Sequence, residues 1–193
     1  MRASAHLRVL LACCALAALR PSLVSGQRPA PPADGQHDFD WELGQWKTEL
    51  RRLVRPLTGS TEWAEYVGTT TVTPLLGGRA NIVELVAEGP AGRIEGMSLR
   101  LYNPTTRQWS LNFAAPSSGM MATPVFGEFR NGRGDFYGTD TSGGRTVLVR
   151  FVITNIDDRS WRFEQAYSDD GGKTWEVNWI VTDTRIGAAP AAR

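Results

Sequence analysis

Residues 145–154 read RTVLVRFVIT. Val147, Val149, Phe151 and Ile153 fall on one side of an extended chain, because successive side chains of a strand point to opposite faces. Leu148, Arg150 and Val152 fall on the other. A run of β-branched and aromatic residues with period 2 predicts a strand. The same pattern recurs on both sides of it. Towards the C-terminus, residues 160–167 bring Trp161, Phe163 and Tyr167 together, and residues 174–184 bring Trp175, Val177, Trp179 and Val181 together. Towards the N-terminus, residues 124–130 and 134–138 flank Asn131-Gly132, a dipeptide suited to a tight hairpin. Residues 108–114 align Trp109, Leu111 and Phe113. Residues 93–102, 80–87, 61–72 (interrupted by Gly68) and 47–54 complete the set. These nine or ten short strands have a turn signal every 8–14 residues. They predict an all-β domain, an antiparallel meander closing into a barrel or a two-layer sandwich. Helical spacing is confined to residues 39–46, where Phe39, Leu43 and Trp46 follow i, i+4, i+7. A short helix or helical turn plugging one end of a barrel fits that stretch.

The ends of the chain differ from this pattern. Arg2 and Arg8 precede an unbroken apolar run at residues 9–19, and Val24-Ser25-Gly26 offers small residues before Gln27. This is the layout of an export signal over residues 1–26, with an apolar run too short to span a bilayer. Lipid attachment at Cys13 is the alternative processing. Residues 27–37 read as a flexible Pro/Ala/Gly-rich leader, 38–186 as the folded domain and 187–193 as a tail. The expected location is the periplasm or the extracellular space. Cleavage removes Cys13 and Cys14, the only cysteines, leaving no disulfide and no thiolate chemistry. It also removes three arginines and no acid, so the formal charge falls from +1 to −2. Nothing in that balance points to nucleic acid or an anionic membrane as partner. The oligomeric state is left open.

Catalytic motifs are absent. The one histidine left in the mature chain, His37, lies in the leader, so no imidazole is predicted inside the fold for a triad, a haem or a zinc site. No cofactor or metal is expected. The Gly-rich Asn131-Gly132-Arg133-Gly134 joins two strands and reads as a hairpin, not a phosphate cradle. Carboxylates are the remaining acids and bases. Glu84 alternates with Ile82 and Val86, and Arg150 with Leu148 and Val152. A Glu84–Arg150 pair inside the barrel is one reading. The other is that both faces of these strands are partly apolar, with the charges solvated or paired at the rim. Residues 168–175, SDDGGKTW, resemble the Asp-box hairpin of sialidases and related propellers, where Ser and Asp tie the turn and Trp packs beneath it. One copy in so short a chain implies the hairpin, not a propeller.

Four phrases in order extend the likeness. They are Phe39 to Trp46 (FDWELGQW), Gly77 to Glu84 (GGRANIVE), Tyr102 to Trp109 (YNPTTRQW) and Ser168 to Trp175. Together they resemble a large bacterial family of secreted, lipocalin-like (calycin-type) proteins of unknown function. The resemblance implies an up-and-down β-barrel with a short helix at one end. Asn103 stands where the family often has Asp, which argues against a cation at that turn.

A small closed barrel can leave an apolar interior open at one end. The leading expectation is therefore a carrier or sensor for a small apolar or amphipathic molecule. Trp63, Glu84, Trp109, Arg150, Trp161 and Trp179 are the candidate ligand-binding residues, the four tryptophans either lining a cavity or filling the core solidly, while Trp46 and Trp175 are assigned to structure. Two other classes stay open. A carboxylate-dependent enzyme needs Glu84, Glu95 or Glu164 buried beside the cavity. An accessory domain needs a filled barrel and an exposed apolar patch, for which Met120-Met121 in the loop 114–124 is the candidate. That loop is also a candidate lid over the barrel mouth.

Overall fold

A computed structural model describes residues 34–154 and 156–188. The proposed signal, most of the leader and residues 189–193 lie outside the described residues. Eleven strands follow one another: β1 (Gly44–Leu53), β2 (Trp63–Leu75), β3 (Ala80–Gly89), β4 (Gly92–Asn103), β5 (Gln108–Ala115), β6 (Met120–Met121), β7 (Val125–Arg130), β8 (Arg133–Ser142), β9 (Arg145–Thr154), β10 (Ser160–Ser168) and β11 (Glu176–Gly187). All pairings are antiparallel. Ten strands form a closed ring in chain order, with β5 bonded to both β4 and β7, and β11 returning to β1. The two-residue β6 attaches to the far end of β5 at Ala114 and Ala115.

The turns carry the expected chemistry. Asn131 and Gly132 both have positive φ, at 52° and 74°, as a type I′ hairpin requires. Gly68 does not break β2. It sits inside the strand because β3 comes too close for a side chain: a Cβ there would lie 1.9 Å from the Val86 carbonyl oxygen. At residues 168–175 the Ser168 hydroxyl donates to Asp170, and Asp170 accepts from the backbone N–H of Lys173 and Thr174. Those backbone bonds hold the Asp170 carboxyl down at about 2. Trp175 Nε1 donates to the Gly172 carbonyl at 3.1 Å. The segment is a structural hairpin.

One end of the barrel is closed. The expected helix over 39–46 shrinks to a 3-10 turn at Asp40–Glu42, because β1 starts at Gly44 and takes Trp46 into the sheet. Phe39 meets Trp109 and Phe129 edge-on at 5.0 and 4.9 Å, and Trp41 meets Trp161 at 5.5 Å. Arg185 clamps this plug, donating to the carbonyls of Trp41 and Leu43 while lying over the Trp46 ring. The packed region begins ahead of residue 38, since Trp109 Nε1 donates to the Gly35 carbonyl at 2.8 Å.

Candidate functional site

Strand register decides which residues face inward. Cross-strand partners share a face, so the inner set can be followed around the ring. Thr48 opposes Asp183 and Gly68; Gly68 opposes Ala87; Leu85 opposes Gly96; Val83 opposes Ser98; and Ser98 opposes Phe113. Phe151 opposes Phe136 and Gln165, and Gln165 opposes Trp179. These side chains do not fill the barrel. They enclose a cavity of about 460 Å³. Its walls are apolar: Val83, Leu85, Leu111, Phe151, Phe163 and Val181. Its rim includes exposed Arg52, Thr141 and Gly143, with Ala122 and Thr123 from the segment before β7.

The end nearest the plug is polar. Glu42, on the 3-10 turn, is wholly buried and pairs with the buried Arg100 of β4 through two hydrogen bonds. Arg100 also lies over the Phe39 ring, 4.2 Å from its centroid. Asp183, on β11, is 0% exposed and lines the cavity. Neither of its carboxyl oxygens completes a hydrogen bond within the protein. Burial pushes the carboxyl up to about 7; Thr48 and Arg100 oppose the rise and the charge of Glu42 adds to it. Thr48 and Thr70 share a hydrogen bond of 2.7 Å in which either hydroxyl can donate. Two N–H donors beside the cavity, Trp161 Nε1 and Arg100 Nε, also lack partners. Nearer the mouth, Gln165 donates to Asn178 at 2.9 Å, and the Tyr167 hydroxyl donates to Asp140 at 2.6 Å. Burial and the Asp140 charge raise the Tyr167 hydroxyl well above its ordinary range.

The six residues singled out from the sequence separate into three groups. Trp161 and Trp179 line the cavity. Trp109 is buried in the plug cluster, with its N–H committed to Gly35. The other three lie on the outer face. Trp63 opposes Leu53 and carries Arg51 over its ring. Glu84 opposes Thr71 and Met97, and is exposed. Arg150 opposes Tyr137 and Ala166 and stacks on Trp175 at 4.7 Å. Glu84 and Arg150 therefore do not pair inside the barrel. On the outer face of β9, Trp175 lies against Arg150 and meets Tyr137 of β8 edge-on. Glu95 and Glu164 also point outward, paired with Arg93 and Arg162. None of the three glutamates proposed for catalysis touches the cavity interior. Met120 and Met121 are exposed, beside Met97 and Val86, in a groove of about 450 Å³.

Asp183, Arg100, Glu42 and Asn178 were missed. The signal for Asp183 was present, since it continues the alternation Trp179, Val181. A bulge hid only the facing of the residues before Trp179. The pairing slips between Gln165 and Ala166, so Asn178 is an extra residue in β11. Trp175 and Val177 thus face outward while Trp179, Val181 and Asp183 face inward. Among the described residues, no cluster of His, Cys, Asp and Glu suited to a metal ion occurs.

No protein-family model matches the chain, and no curated protein matches it. Among solved structures it is similar to the S-type phycobiliprotein lyase CPES from Guillardia theta. The TM-score is 0.55 at 11% identity, over 78% of this chain and 92% of that one. It is also similar to EF1p2_mFAP2b bound to DFHBI, with TM-score 0.43 at 11% identity over 79% and 99% of the two chains. A redesigned β barrel, mFAP1, also bound to DFHBI, gives 0.41 at 12% identity over 79% and 100%. At these identities the likeness concerns the fold, a lipocalin-like antiparallel barrel.

Proposed function

We propose that the protein is an exported binding protein, a carrier or sensor that holds one small amphipathic molecule inside its barrel. One observation carries the reading: an interior cavity of about 460 Å³ with apolar walls and unpartnered polar atoms on its inner surface. That volume suits a drug-sized ligand, and a few fixed polar groups in an apolar pocket are what orient one. Export rests on residues 1–26, and the four phrases make the lipocalin-like secreted family the proposed home of the chain.

The test is native mass spectrometry of the protein purified from its own host, with extraction of any adduct. The expected result is a chain starting at Gln27 with a stoichiometric small molecule bound. Leu85 lines the cavity, so Leu85→Trp adds bulk to its wall and takes up space a ligand would fill. That variant should stay folded and lose the adduct. A bare mass, with no tryptophan-fluorescence change across a panel of apolar ligands, would overturn the binding reading.

A further inference from the structure

The polar groups at the inner end of the cavity do not balance. Glu42 and Arg100 form a matched pair, bound to each other by two hydrogen bonds. Asp183 is the odd group. It is wholly buried, it lines the cavity, and both of its oxygens are unpartnered. A buried acceptor without a donor is costly, and a carboxyl with two such oxygens more so. Thr48 and Trp161, which oppose Asp183 on β1 and β10, carry no charge. We infer that Asp183 is the anchor for a nitrogen-bearing headgroup: the cavity takes a molecule with an apolar body whose buried end donates N–H hydrogen bonds to this carboxyl. The inference rests on the binding reading above and specifies its ligand.

Charge argues for the same class. A ligand carboxylate would bring a third acid to a site that already holds Asp183 and Glu42, and Arg100 is already committed to Glu42. A nitrogen donor meets the two free oxygens without displacing that pair. An ammonium or amidinium would also cancel the one surplus negative charge. A neutral amide would meet the oxygens with its N–H and leave its carbonyl for the unpartnered N–H of Trp161 or Arg100. The cavity walls include Val83, Leu111, Val149, Phe151, Phe163 and Val181, which give the ligand's body an apolar surface.

The test uses one hydrophobic body with four ends: 2-naphthylmethylamine, 2-naphthamide, 2-naphthoic acid and 2-methylnaphthalene. Binding is followed through tryptophan fluorescence and calorimetry, on the wild-type protein and on Asp183→Asn. The amine or the amide should bind about tenfold tighter than the acid, as hydrogen bonds to a charged group are the strong ones. Asp183→Asn should remove that preference and leave 2-methylnaphthalene unchanged. Between pH 5 and 8 on the wild-type protein, the charged groups facing Asp183 are Glu42 and Arg100. The amine stays protonated across that range, so its affinity should rise as Asp183 ionises, while the amide should not follow this trend. That contrast tells a cationic head from a neutral one, and it needs no variant.

Tightest binding by the acid would overturn the role of Asp183 while keeping the cavity as a binding site. So would amine and amide affinities that ignore both Asp183→Asn and pH. No binding by any of the four probes would overturn the binding reading itself.

Discussion

At the scale of single residues, Asp183 sets the stability of the barrel against pH. Its carboxyl titrates near 7 in the fold, against 3.8 ordinarily. Between those values the folded state holds a proton that the unfolded state has released, so stability falls as pH rises from about 4 to about 7. Above 7 both states are ionised and the full cost of the buried charge is present. Asp183→Asn should therefore stabilise the fold at pH 8 by an amount on the order of 4 kcal/mol, read as a higher melting temperature. The gain should vanish towards pH 4. Equal gains at both pH values would mean that Asp183 is not the titrating group. Such a residue is hard to read from sequence. A lone Asp after Trp179 and Val181 looks like the polar end of a strand, and only the register of β11 against β1 and β10 turns it inward.

At the scale of elements, the plug depends on the Glu42–Arg100 pair. Removing one partner leaves the other charge buried and uncompensated, which costs about 3–5 kcal/mol. Glu42→Ala should lower the urea midpoint accordingly. The double variant Glu42→Leu, Arg100→Met should recover most of the loss, because apolar replacement of a buried pair is often neutral. If the double variant is as unstable as the single one, the pair holds the plug by more than charge balance. The close approach of β2 and β3 gives a second measure. Gly68→Ala should cost at least about 1–3 kcal/mol by overpacking against the Val86 carbonyl, read from the same denaturation curve. Most elements were legible. Residues 145–154 coincide with β9, and the Asn131-Gly132 hairpin and the SDDGGKTW turn fold as their composition demands. The illegible part was local. The bulge at Asn178 shifts the face of everything before Trp179, and period-2 counting has no term for an extra residue.

At the scale of the whole molecule, the closed ring was readable from many short strands at even spacing, but its inside was not. Where both faces of a strand are apolar, as with Leu148, Arg150 and Val152 against Val147, Val149 and Phe151, alternation alone does not say which face is the interior. Strand register makes that choice, setting Arg150 opposite Tyr137 and Ala166. It turns Arg150 and Glu84 outward, and the binding surface passes to Asp183 and Arg100. Closure has another effect. A ring in which β4 meets β5 and β11 meets β1 leaves no long strand edge for a second chain to pair with. Finally, the start of β1 and the last residue of β11 meet at the plugged end, where Gln45 opposes Gly187. A lipid, a tag or a sensor chip joined directly to either described end, at Asp34 or Ala188, therefore holds the barrel by its base and leaves the mouth pointing into solution.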